Sequence, residues 1–233
     1  MQIAQLSDSH ISLSHPQRMD DLKTTIDAIN AEKPDLVIHT GDIAHEGLAE
    51  EYNIARELLA ELEAPLLPLV GNKDNRSRMI ESFTDTKHIQ SGMPFVQYYV
   101  TDFPVTLAVL DTLHENSNKG QFCGERMRDF EKMLAQDPQK PLAIFMHHPP
   151  FEAREIPDPR QFEDWSDVQQ FSDLIAGCEN LIGIWCGHVH RNIDSVAGNV
   201  PASAITCLAC DLRKGELTEL QRTEPVYKMI KLA

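Results

Sequence analysis

The stretch Ile182–Arg191, IGIWCGHVHR, is an apolar run that stops at Gly187-His188-Val189-His190. Side chains two apart in an extended segment share a face, so it reads as a buried strand delivering His188 and His190 into one site. A lone His-x-His more often decorates a surface than binds a metal. Four further apolar runs also end in a residue of ligand type: Ile3–Leu6 before Asp8 and His10, Leu36–Ile38 before Asp42, Leu66–Val70 before Asn72, and Leu142–Met146 before His147. Each has an ordinary reading by itself, Asp42 as a turn residue, Asn72 as an Asx turn, Asp8 as a helix cap. Five together point to an α/β protein with its functional residues at the carboxyl ends of strands.

Between these runs the spacing turns helical. From about Met19 to Ala31, Leu22, Ile26 and Ile29 share a helical face, and within Leu48–Leu62 so do Tyr52, Ala55, Leu58, Leu59 and Leu62. The order βαβαβ implies parallel strands with helical crossovers. Phe95–Val100 and Val105–Leu110 read as a hairpin or sheet-edge pair, Arg126–Ala135 and Asp167–Ile175 as helices. The proline-rich loop from Pro149 to Asp164 has the length of a lid. Beyond about residue 192 the chain reads as β throughout: Ile193–Val196, Ser203–Leu208, Leu217–Leu220 and Val226–Leu232. The expected architecture is a four-layer αββα sandwich of two mixed β-sheets flanked by helices, residues 1–233 forming one domain with a β-rich tail.

With 233 residues, 42% of them hydrophobic, the chain can fill one sizeable core. Twenty-one basic against 36 acidic residues give a net charge of −15, which disfavours a nucleic acid polymer or an anionic membrane surface as partner. Any phosphate must be held by local charge. The five cysteines form no disulfide framework, and Cys207-x-x-Cys210, a spacing that could serve a redox or metal pair, lacks a second pair and reads as idle thiols. No leader pattern opens the sequence and no apolar run approaches the ~18 residues of a membrane span, so the expected location is cytoplasmic.

Asp8, His10, Asp42, Asn72, His147, His188 and His190 are nitrogen and oxygen donors suited to two ions of the Mn, Fe or Zn kind rather than Ca, with one carboxylate bridging. At this point the sequence resembles the calcineurin-like metallophosphoesterases, whose five blocks are matched in order by Asp8-Ser9-His10, Gly41-Asp42, Gly71-Asn72, His147 and Gly187-His188-Val189-His190. Within that family His147-His148-Pro149-Pro150, Asp74-Asn75-Arg76 and the tail look most like the bacterial class III cyclic nucleotide phosphodiesterases and their glycerophosphodiesterase relatives. The resemblance implies Asp8, His10 and His190 on one ion, Asn72, His147 and His188 on the other, and Asp42 between them. It further implies hydrolysis of small phosphodiesters by a hydroxide held on the metal pair. The family's third block normally reads Gly-Asn-His followed by Asp or Glu, its histidine being the expected proton donor. Here Lys73 and Asp74 occupy those catalytic positions, and a lysine is a poor proton donor at neutral pH.

Asn72, Lys73, Arg76, His148 and Arg191 are the expected substrate contacts, the arginines for non-bridging phosphate oxygens. The expected partner is a small-molecule phosphoester, and the expected assembly a homodimer. Two alternatives remain beside the phosphodiesterase reading: a phosphomonoesterase on the same site, and a non-catalytic metal-binding scaffold.

Overall fold

Strands buried on both faces read as continuous apolar runs, and those runs form the centre of two sheets. The computed structural model describes residues 1–154, 156 and 161–232. In order they form β1 (Gln2–Leu6), α1 (Gln17–Glu32), β2 (Leu36–His39), α2 (Ala49–Leu59), β3 (Leu66–Pro68), α3 (Arg76–Ser82), β4 (Tyr98–Val100) and β5 (Thr106–Leu110). There follow α4 (Gly124–Leu134), β6 (Leu142–Met146), α5 (Trp165–Ile175), β7 (Leu181–Cys186), β8 (Ile193–Ala197), β9 (Val200–Ala204), a 3-10 turn (Cys210–Leu212), α6 (Glu219–Thr223) and β10 (Lys228–Lys231). One sheet has the order β10-β1-β2-β3, the other β4-β5-β6-β7-β9-β8. Both are mixed: β10 runs antiparallel to β1 in the first, and β4 and β8 are antiparallel edges of the second.

Period-two alternation sorts the second sheet's faces. Leu107, Val109, Ala143 and Phe145 join the core that includes Ile3, Leu6, Val37 and Leu67 of the first sheet. Ala108, Leu110, Ile144 and Met146 point the other way, onto Phe130 of α4 and Phe171 of α5, whose rings stack 5.9 Å apart. On the far side of the first sheet Leu22, Ile26, Ile29, Tyr52 and Ala55 bury one stripe each of α1 and α2. The expected αββα layering is therefore present. No helix among the described residues is long and apolar enough to cross a membrane.

Two local expectations are corrected. Leu217–Leu220 is not a strand: Thr218 accepts a hydrogen bond from Gln221 N and Gln221 reaches back, a capping box that opens α6. The strand expected over Ser203–Leu208 ends at Ala204, because the next residues cross to the first sheet, Leu208 N donating to Ser7 O (3.0 Å) and Ala209 N to Asp8 O (3.2 Å). Helix α3 was not foreseen, although Asn75 caps it by accepting from Arg78 N (3.0 Å). Of the proline-rich loop, residues 155 and 157–160 lie outside the described residues; around them buried Gln161 donates to Pro149 O and Phe151 O and accepts from Ala153 N.

After β5 the chain is held by Asp111. This fully buried carboxylate pairs with Arg76 (Nε–Oδ2 2.8 Å) and with buried Arg126 (Nη1–Oδ1 3.2 Å), and both guanidiniums lie over Phe95. Removing one member of such a group strands the others' charge away from water. Asp111→Ala should cost about 3–5 kcal/mol. Urea unfolding tests this, and a loss below about 1 kcal/mol would show that water replaces the carboxylate.

Candidate dinuclear metal centre

Beyond the strand ends the loops stay in register: Asp8 N donates to Gly41 O, His10 N to Asp42 O and Ile11 N to Ile43 O, each at 2.9 Å. These loops adopt left-handed backbone at Asp8 (φ 56°), His10 (43°), Asp42 (54°), His188 (70°) and His190 (54°); among the described residues the other non-glycine case is Lys33, at the end of α1. The expectation that His188 and His190 share a face of an extended segment is thus corrected. Each turns through a left-handed residue and enters a different half of the site. Close packing dictates the neighbouring glycines: a Cβ on Gly71 would stand 2.2 Å from Asp42 Oδ1, and one on Gly187 2.0 Å from Ser7 Oγ.

All seven expected ligand residues meet here, in two groups. In the first, His190 Nε2 lies 3.3 Å from both Asp8 Oδ1 and His10 Nε2. In the second, Asn72 Oδ1 lies 2.8 Å from His188 Nδ1 and 3.2 Å from His147 Nε2. Asp42 joins them, its Oδ2 being 3.5 Å from both His10 Nε2 and His147 Nε2 while Oδ1 accepts from Lys73 N (2.7 Å). His147 and His190 donate Nδ1–H to the carbonyl oxygens of Thr40 (2.8 Å) and Leu212 (2.9 Å), so that whenever the ring is neutral its Nε2 carries a lone pair directed into the cluster. Buried Asp8 Oδ1 has no hydrogen-bond partner of good geometry. Converging lone pairs and an unsatisfied carboxylate oxygen fit cations of nitrogen- and oxygen-preferring type.

Burial and charge pull the ionisations apart. Burial holds His10 and His188 down at about 4. For His147 burial acts downward too, but the Asp42 carboxylate overrides it and raises the ring to about 9. Burial would raise Asp8 and Asp42, yet their histidine partners keep both below the ordinary carboxylate range. Asp74 goes the other way, pushed up by burial and by Asp42.

The remaining expected site residues are placed unevenly. Lys73 is half-buried beside Asp42 and lies close enough to His45 to depress that ring's basicity after burial and Arg18. Asp74 is buried and accepts from Ile43 N, Ala44 N, Gly71 N and Tyr52 OH, so it ties the Asp42 loop to the Asn72 loop. Arg76 commits its guanidinium to Asp111, Glu115 and Leu113 O. His148 is fully buried behind His188, ring centroids 4.4 Å apart, with Nδ1 bonded to Thr112 Oγ1. Arg191 is exposed and lines, with Lys214, a cavity of about 660 Å³ whose walls include none of the seven ligand residues. Two further residues join the cluster from outside the expected set. His45, three residues after Asp42, packs against His10, and the Cys207 thiol, read as idle, has its Sγ grouped with ring nitrogens of His10 and His190. The one sequence signal at Cys207 is its spacing to Cys210, which is not part of the group.

The fold and this cluster define a two-sheet α/β protein with a candidate dinuclear metal centre. Residues 1–192 match the calcineurin-like phosphoesterase model, and the chain belongs to that family. It is 29% identical, over 98% of its length and 88% of the relative's, to a probable glycerophosphodiester phosphodiesterase GpdQ of Arcobacter nitrofigilis. It is 33% identical to a probable cyclic nucleotide phosphodiesterase of Rhodopseudomonas palustris, over 77% of this chain but 66% of that one. A dimetal phosphatase from Danio rerio shares the fold at a TM-score of 0.70 and 13% identity, over 98% of this chain and 91% of the other.

In the metal-free protein the histidines set opposing pH limits. His10, His39 and His188, held at about 4 against an ordinary 6.5, add stability that is complete above pH 6.5 and is lost as pH falls toward 4. Raised Asp74 opposes them over part of that range. His147 adds stability that is complete below pH 6.5 and is lost as pH rises through about 9. The melting temperature of metal-free protein should therefore peak near pH 6.5 and shift to higher pH when an ion that binds neutral imidazole is added. A monotonic profile from pH 4 to 9.5 would contradict these assignments.

Proposed function

We propose that this chain is a metal-dependent hydrolase of small phosphodiesters, of the cyclic nucleotide or glycerophosphodiester kind. The observation that carries the reading is the position of Asp42, whose Oδ2 is equidistant from a histidine of each group. Asp8, His10 and His190 would hold one ion, Asn72, His147 and His188 the other, and Asp42 both. The relatives named as phosphodiesterases support the substrate class. When bound, the ion pair supplies Lewis acidity toward a phosphoryl oxygen and an activated water, with Mn, Fe or Zn fitting the donors.

The chain's own residues do the rest. Asp74 keeps the two ligand-bearing loops at fixed separation and touches no substrate. Lys73 contributes a positive charge to a non-bridging phosphate oxygen, and exposed Arg191, next in sequence to His190, is placed to hold another. Arg76 and His148, one neutralised by carboxylates and the other enclosed, act as supports. Five unpaired thiols suit a reducing, cytoplasmic compartment. A phosphomonoesterase would also use the extra charge of Lys73, and a panel of mono- and diesters assayed with Mn separates the two.

Asp42→Ala should lower hydrolysis by at least about a hundredfold and reduce bound metal, since it removes the shared carboxylate. Near-normal turnover would refute the bridging role. If Lys73 binds phosphate without delivering a proton, diesters with nitrophenol leaving groups should be hydrolysed far faster than those with alkoxide leaving groups, and Lys73→His should raise turnover on the latter. A uniform loss across both kinds would identify the lysine as the acid.

A further inference from the structure

His45 belongs to none of the matched motifs, yet the backbone delivers it to the edge of the metal centre. The loops after β1 and β2 run side by side: Ile11 and Ala44 form an isolated parallel bridge, and His45 N donates to Ile11 O (3.0 Å). This pairing sets His45 against His10, with Nδ1 atoms 3.4 Å apart and rings crossed edge to face at 5.5 Å between centroids. Two imidazole nitrogens at that separation share one proton, one ring donating and the other accepting. The other side of His10 decides which. Its Nε2 stands 3.3 Å from His190 Nε2, 3.5 Å from Asp42 Oδ2 and 3.8 Å from Asp8 Oδ1, so toward an ion it offers a lone pair and its proton sits on Nδ1. His147 and His190 give the corresponding proton to backbone carbonyls. For His10 that place is taken by a side chain.

We propose that His45 is a positioning residue of the metal centre, accepting Nδ1–H from His10 and so holding that ring in the tautomer and orientation that turn Nε2 to the ion. The inference rests on the metal-centre reading above. Partners of this kind govern affinity through the ligand they orient, without touching the ion.

The test is calorimetric titration of metal-free, full-length protein with Zn²⁺, together with ¹⁵N spectra of the imidazoles. His45→Phe keeps an aromatic ring but has no acceptor, while His45→Asn brings an amide oxygen near the former Nδ1. The expected result is a loss of about 10–100-fold in affinity at one of two Zn²⁺ sites in His45→Phe, with recovery to within about threefold in His45→Asn. Unchanged affinity at both sites in His45→Phe would overturn the inference, as would equal losses in the two variants. Should His45→Phe lose its cooperative melt, the wild-type spectrum still decides: with Zn²⁺ bound, a His10 proton on Nδ1 agrees, and a proton on Nε2 overturns the proposal. Wild-type protein that binds no Zn²⁺ would overturn the metal-centre reading itself, which distinguishes the two failures.

Discussion

Five residues of the cluster, Asp8, His10, Asp42, His188 and His190, sit in left-handed backbone, a conformation that costs an ordinary L-residue roughly 1–2 kcal/mol. Together that is on the order of 5–10 kcal/mol, comparable with the whole stability of a typical domain. Such a set persists only where the surroundings over-determine it. Here the loops are locked by hydrogen bonds running from one strand end to the next and across the two sheets, as in Gly187 N to His147 O and Leu208 N to Ser7 O. Strain is concentrated where side chains must converge, and the regular strands behind them supply the rigidity.

That arrangement explains the role of Asp74. A carboxylate held by three backbone amides and a tyrosine hydroxyl is well satisfied, yet burial, and after it the nearby Asp42, push it toward its protonated form. Its position in the sequence, next to Lys73 in a matched block, suggests chemistry. Its contacts give it a mechanical function, holding the β2 and β3 loops together at the point where the two groups of the cluster meet.

The layered architecture and the convergence of the seven polar residues were legible because each rests on a local pattern: a buried apolar run, a helical crossover, a polar stop. Contacts between segments distant in sequence were not legible. Arg76 reads as a phosphate contact from its place after the third block, and only the fold reveals Asp111 and Glu115 beside it. The spacing Cys207-x-x-Cys210 points to Cys210 and not to His10 and His190, because Cys207 reaches the cluster through a segment that crosses between sheets. The tail misled by composition: Leu217–Leu220 has the residues of a strand, but the cap formed by Thr218 and Gln221 starts a helix.

The antiparallel pairing of β10 with β1 matches Gln2 with Lys231 and Ile3 with Ile230. The strand that leads to Asp8 and His10 thus takes its outer neighbour from a segment far later in the sequence. Contacts of such sequence separation are slow to form, because loop-closure entropy must be overcome before they contribute. The first sheet can assemble from β1, β2 and β3 early, but β1 keeps an open edge until the tail arrives. The turn after β7 supplies both His188 and His190, so each half of the cluster takes its last residue from the same later segment. Both groups are therefore closed together, by one turn whose position depends on β7 joining β6 and on Gly187 N reaching His147 O.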